Sequence, residues 1–274
     1  MGKLELNKDL EVLRFFRWPL YGYPHAILHL SRIMRIITNL SSALPEVKEE
    51  RMKLCKMNVT VLIPENERGT LIDIHGGAFA FPPVPYQKKI ASIYATAGFR
   101  VLFPDYPLLP GHRHPEALEL VAELAEKTQD LKVLAGDSAG GFLALQAAMA
   151  LSTKPALMLL YPVIKPFAVN QSMAEFDDTP MWNSKLNSWM WREYIHSGAV
   201  ADNSYKGIRK AFVETAEFDP LRDEGREAAE KMMEEGTDVV LSETKGTVHG
   251  YDILWKKQFV REMIERRLSF LRSL

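Results

Sequence analysis

A chain of 274 residues can form one or two domains, and 47% apolar residues can fill a sizeable core. With 34 Lys+Arg against 35 Asp+Glu, it lacks the basic excess of a nucleic-acid binder. The single cysteine, Cys55, excludes an intramolecular disulfide and has no Cys neighbour for a metal site, which fits a reducing, cytoplasmic setting.

Residues 1–11 are mixed in charge and lack the apolar core of a secretory signal. The apolar stretch 26–40 is interrupted by Arg32 and Arg35, so stable membrane insertion is not expected. Ala26, Leu30, Ile33, Ile37 and Leu40 recur at helical spacing and predict an amphipathic helix. Its stripe is expected to pack on the body of the protein; contact with a membrane surface or an interface is the alternative. From residue 57 the chain alternates between strand and helix patterns. Strands are predicted at 57–63, 70–75, 100–104, 131–136, 156–161, 210–216 and 238–242. Helices are predicted at 86–97, 115–127, 138–151, 222–235 and 252–274, several closed by Gly or opened by Pro. Continuously apolar strands between helices indicate a mostly parallel sheet covered on both faces. The stretch 167–206 breaks this rhythm. It is rich in Met and aromatic residues, including Trp182, Trp189 and Trp191, and reads as a helical insertion. It can form a lid over an apolar pocket, or pack on the sheet, or both.

Gly136-Asp-Ser138-Ala-Gly140 stands between an apolar strand and an Ala-rich helix. A nucleophile on a tight strand-to-helix turn needs small neighbours, and the helix N-terminus offers its N–H groups to developing negative charge. Ser138 is therefore the candidate nucleophile. His75-Gly-Gly77-Ala78 follows the strand at 70–75, and a glycine run there lets backbone N–H groups approach an oxyanion. Gly77, Ala78 and Ala139 are the candidate donors, while His75 holds the loop and is not the base. Of the seven histidines, only His249 follows Ser138 with an acid-bearing loop in between. His196 falls within the insertion, ahead of any such loop. Asp219 lies just past the strand 210–216 and is preferred as the orienting acid; Asp223 is placed in the next helix, where it would stabilise the first turn. No His/Asp cluster has metal-ligand spacing, and no cofactor is expected.

His75-Gly-Gly-Ala78, Gly136-Asp-Ser-Ala-Gly-Gly141, Asp219-Pro-Leu-Arg-Asp223 and Val248-His249-Gly250 together resemble the hormone-sensitive-lipase-like family of α/β-hydrolase esterases. Asp105-Tyr106 with Leu108 and Pro110 resembles that family's Asp-Tyr-Arg-Leu-Ala-Pro segment. The resemblance spans 57–274. It implies an α/β-hydrolase fold, with a central mostly parallel sheet flanked by helices and a small helical cap. Residues 1–45 and 167–206 would be the cap elements of a single domain, 1–274. It also implies carboxylesterase activity on short-to-medium acyl esters through an acyl-enzyme, with a small-molecule ester as partner. Ala78 stands where the family has a third Gly, so the hole needs a permissive φ there. Pro107 stands in place of the usual Arg, and Gly111 in place of a Glu, which weakens a supporting network. The rival readings are an amidase or peptidase on the same residues and a non-catalytic small-molecule binder. A Ser-Lys enzyme fails, because Ser242 to Lys245 sits at a predicted strand end with no following helix. A homodimer is compatible with the sequence.

Overall fold

The computed structural model describes residues 4–17, 24–195 and 204–274, and the side chains from residue 30 within the second of these. Among the described residues, eight strands form one sheet. They are β1 (Lys48–Leu54), β2 (Met57–Ile63), β3 (Thr70–Ile74), β4 (Arg100–Asp105), β5 (Leu131–Asp137), β6 (Ala156–Leu160), β7 (Lys210–Phe218) and β8 (Asp238–Val248). Their spatial order is β1-β2-β4-β3-β5-β6-β7-β8. β2 pairs antiparallel with β1 and β4, and the remaining neighbours run parallel. The helices are α1 (Pro24–Leu40), α2 (Pro85–Ala95), α3 (Glu116–Lys127), α4 (Ala139–Ala150), α5 (Gln171–Glu175), α6 (Ser184–Tyr194), α7 (Arg222–Glu234) and α8 (Gln258–Arg272).

The central strands alternate between two cores. Ile72, Leu134, Ala211 and Val213 face one layer with α3, α4 and α7. Leu71, Val133, Ala135 and Phe212 face the other, with α2 and α8. Successive side chains leave opposite faces of a strand, so a strand covered on both sides must be apolar throughout. This is why β6, Ala-Leu-Met-Leu-Leu, reads as an unbroken apolar run. Each aliphatic side chain buried this way contributes about 1.5–3 kcal/mol.

Two strands differ from the sequence expectation. β1 lies outside the predicted strands, because its Lys-Glu-Glu-Arg-Met-Lys-Leu run is charged at five of seven positions and shows no apolar alternation. It is an edge strand, where exposed charges discourage pairing with other chains. β8 runs on to Val248, beyond the predicted end at 242, so Ser242 to Lys245 lies within a strand instead of at its end. The last helix begins at Gln258, after a short 3-10 turn, Tyr251–Leu254, that follows Gly250 in the left-handed region at φ 63°.

The predicted amphipathic helix exists as α1, but its stripe is oriented the other way. Ile33, Ile37 and Leu40 are 54%, 50% and 80% exposed. The side facing the body carries Ser31, Met34 and Thr38. Ser31 Oγ donates to the Ala80 carbonyl at 3.2 Å, and Thr38 Oγ1 to the Pro83 carbonyl at 2.7 Å. Leu30 is half-buried, and the Ala26 side chain lies outside the described residues. Polar hydrogen bonds and one ion pair won the docking face.

Beneath the sheet's C-terminal edge, Arg267 is fully buried between Glu214 and Asp252. Tyr161 Oη donates to Asp252 Oδ1 at 2.7 Å, so this network reaches the cavity that Tyr161 lines.

Candidate active site

The candidate residues gather at the C-terminal ends of parallel strands, where open α/β sheets form their crevices. Ser138 follows β5, the His75 loop follows β3, Asp219 follows β7 and His249 follows β8.

Ser138 adopts φ 53° and ψ −120°, a turn that points its side chain away from both strand and helix. Its N–H donates to the Leu160 carbonyl at 2.9 Å, and its own carbonyl accepts from Gly141 and Val163 at 3.0 Å. The glycines around it are set by contact distance. A Cβ on Gly136 would lie 2.3 Å from the Gly140 carbonyl oxygen, and one on Gly140 would lie 1.9 Å from that of Ile74. Helix α4 can therefore approach β3 and β5 only with glycine at these positions.

His249 Nε2 stands 2.9 Å from Ser138 Oγ, and His249 Nδ1 stands 2.7 Å from Asp219 Oδ2. The carboxylate accepts from Nδ1–H, which leaves Nε2 free to accept the hydroxyl proton. Asp219 is fully buried, and its other oxygen accepts the Leu221 N–H at 2.9 Å. Ser138 and His249 are 6% and 8% exposed. The ring of His249 is further held edge-on by Tyr161 at 4.9 Å between centroids. Such a chain can pass a proton from the hydroxyl to the imidazole while the acid holds the ring and its charge. Asp223 takes no part: it sits in the first turn of α7 and accepts the Ser172 N–H at 2.7 Å.

Gly77, Ala78 and Ala139 donate their backbone N–H groups to no acceptor among the described residues. Gly77 has φ 117° and Ala78 φ 55°, so Ala78 does occupy the left-handed region that its position requires. Ala139 N–H is the first of α4, where the helix leaves its donors unpaired. Three unpaired donors beside one hydroxyl can hold an oxyanion.

His75 is fully buried against Tyr106, with ring centroids 4.3 Å apart. Nδ1–H donates to the Gly76 carbonyl at 2.6 Å. Burial pushes its pKa down to about 3, so the ring is neutral and serves the loop.

Three features escaped the sequence reading. Asp137 Oδ1 accepts the Gly76 N–H at 2.8 Å, and its Oδ2 accepts Gln87 Nε2–H at 3.0 Å. Burial, aided by the Asp252 charge, pushes Asp137 up to about 7 against the pull of these two donors. Second, Arg35 of α1 lies 3.0 Å from Asp105 and forms an ion pair with it. Third, Met34 joins Met181, Trp182, Leu186 and Trp189 in walling a cavity of about 420 Å³, with Ser138 and His249 on its surface. Other residues of the insertion, Trp191 and Tyr194, pack into the core. Residues 196–203, including His196, lie outside the described residues. Among the described residues, no group of three His, Cys, Asp or Glu is placed to hold a metal ion.

Comparison with known proteins adds to this geometry. The family described as alpha/beta hydrolase fold matches residues 71–253. The carboxylesterase NlhH of Mycobacterium tuberculosis is 28% identical over 245 residues, covering 76% of each chain. The putative acetyl-hydrolase LipR of the same organism is 43% identical over a shorter match of 90 residues, 30% of this chain and 29% of LipR. A bacterial heroin esterase superposes with TM-score 0.82 at 22% identity, covering 98% of both chains. The hyperthermophilic esterase of Pyrobaculum calidifontis does so with TM-score 0.81 at 23% identity and the same coverage. At that identity the two structures speak for the fold. The chain belongs to the hormone-sensitive-lipase-like family of the alpha/beta hydrolase fold.

Proposed function

We propose that this protein is a carboxylic ester hydrolase that works through a covalent acyl-enzyme on Ser138. The observation that carries the reading is the hydrogen-bond chain Ser138–His249–Asp219 at the surface of an apolar cavity. Ester hydrolase names among relatives that share most of the chain's length support it.

In this reading, Ser138 Oγ bonds to the acyl carbon as its proton passes to His249 Nε2. The carbonyl oxygen becomes an oxyanion, held by the N–H groups of Gly77, Ala78 and Ala139. One such donor is typically worth about 3 kcal/mol. The carbon–alkoxy bond then breaks, and the leaving alcohol takes the proton from His249. A water molecule gives its proton to the same nitrogen as it attacks the acyl carbon; the bond from that carbon to Ser138 Oγ then breaks, the acid leaves, and His249 returns the proton to the serine oxygen. Asp219 fixes the imidazole tautomer and stabilises its cation. The chemistry needs no metal or cofactor. We assign α1 and the segment 167–195 to the cap, since Met34, Trp182, Leu186 and Trp189 wall the cavity. That lining suits esters with apolar groups of short to medium length.

The test is hydrolysis of p-nitrophenyl acetate, butyrate and octanoate by the wild type and by Ser138→Ala. Activity on one or more of them that vanishes in the variant supports the reading, and the chain-length profile sizes the cavity. A folded wild type inert on all three overturns it.

A further inference from the structure

We infer that α1 is an interfacial helix, which seats the mouth of the cavity on an anionic phospholipid surface. The helix is docked by the side that water would ordinarily claim. Ser31 and Thr38 hydrogen-bond the loop carbonyls of Ala80 and Pro83, and Arg35 pairs with Asp105. The side turned outward carries Ile33, Ile36, Ile37 and Leu40, each at least half exposed. Four large apolar side chains in one stripe are a costly surface to leave in water, and they are what a helix lying in a bilayer interface buries.

The charge pattern selects the occupant. Over its 17 residues α1 carries Arg32 and Arg35 and no Asp or Glu, in a chain that has 35 acids in all. Arg51 joins them at the helix's C-terminal end, where Nη2 donates to the Asn39 carbonyl at 2.5 Å. The carboxylates that pair with Arg35 and Arg51 lie beneath them. The Asp105 and Glu49 side chains are 21% and 19% exposed, against 43% and 47% for the two arginine side chains. Arg32 is exposed and pairs with no acid among the described residues. The stripe is therefore flanked by outward positive charge, which suits lipid phosphates. A second copy meeting this face across a two-fold axis would set these cations against their own kind.

The position also bears on function. Met34 of the same helix lines the cavity, and the carbonyls that anchor α1 belong to the loop after Gly77. Another cavity wall has an apolar outer neighbour: the Met181 N–H donates to the Phe16 carbonyl at 3.0 Å, beside Phe15, which is 81% exposed. A lipid surface under α1 would bring apolar esters to the cavity without passage through water. The docking itself does not rest on the hydrolase reading, because it is measured without turnover.

The experiment is co-sedimentation of the full chain with vesicles of equimolar phosphatidylcholine and phosphatidylglycerol, and with phosphatidylcholine alone. The wild type is expected to sediment with the mixed vesicles and to be released by salt. The triple variant Ile33→Ser, Ile37→Ser, Leu40→Ser is expected to bind at least about tenfold more weakly. Arg32→Glu is expected to weaken binding to the mixed vesicles several-fold. Circular dichroism and thermal melting check that the variants are folded. Wild type that stays in the supernatant, or a triple variant that sediments equally, overturns the inference. So does light scattering that finds a wild-type dimer and a monomeric triple variant, since a second copy would then cover the stripe.

Discussion

Asp137 Oδ1 accepts the Gly76 N–H at 2.8 Å, so the residue before Ser138 anchors the loop that presents Gly77 and Ala78. Its Oδ2 accepts Gln87 Nε2–H, while Gln87 Oε1 accepts the Val84 N–H at 3.1 Å, tying both ends of the loop to one side chain. Asp137→Asn turns an amide N–H against that of Gln87. We expect kcat on short esters to fall about 10–100-fold, below the loss of a whole oxyanion donor, with KM little changed. Adding Gln87→Glu restores donor-to-acceptor order and should recover part of the loss. A double variant no better than the single one would show that Asp137 does not act through this bond.

The Asp219 and Asp223 carboxylates separate cleanly by kinetics. Asp219→Asn presents the wrong hydrogen-bond partner to His249 Nδ1 and should lower kcat by roughly 10³–10⁴. Among the described residues Asp223 accepts the Ser172 N–H and an Arg222 contact and lies outside the chain from Ser138 to Asp219, so Asp223→Asn should reduce thermal stability and leave kcat within about twofold. Equal losses of kcat in both variants would contradict this division.

Gly140→Ala tests the approach of α4 to β3. Its new Cβ would meet the Ile74 carbonyl oxygen at 1.9 Å, and backbone on both sides must yield. A cost of about 1–3 kcal/mol or more is expected, read as a drop in Tm or as insoluble protein. A variant with wild-type Tm would mean that the helix can slide away freely.

Glu224 controls stability rather than turnover. It is buried, with Oε1 accepting the Ile164 N–H at 3.0 Å and Oε2 unpartnered among the described residues. Burial pushes its carboxyl up to about 8. A carboxyl raised in the folded state stabilises the fold fully below its ordinary range, and this contribution is lost as pH rises through the folded pKa. The wild type should therefore lose up to about 1.4 kcal/mol per pH unit between the ordinary range and about 8 from this group. Glu224→Gln keeps the acceptor and removes the titration. Urea denaturation at pH 5, 7 and 9 should show a flatter profile in the variant, and parallel profiles would refute the assignment.

The sequence by itself determined the local parts of this protein. The small-residue turn around Ser138, the glycine run after β3 and the order Ser138, Asp219, His249 are legible because they concern backbone conformation and chain order. Most strand and helix positions follow from periods of 2 and 3.6 residues and from Gly and Pro punctuation. The charged edge strand β1 escaped because an exposed edge carries little apolar pattern. Only the tertiary structure decided which distant groups meet. Asp137 with Gln87, Arg35 with Asp105 and Tyr161 with Asp252 come together because the sheet brings their elements side by side, which spacing along the chain does not encode. The orientation of α1 is the sharpest case. Helical periodicity defines an apolar stripe but not its direction, and here three polar anchors to Ala80, Pro83 and Asp105 turned the stripe outward.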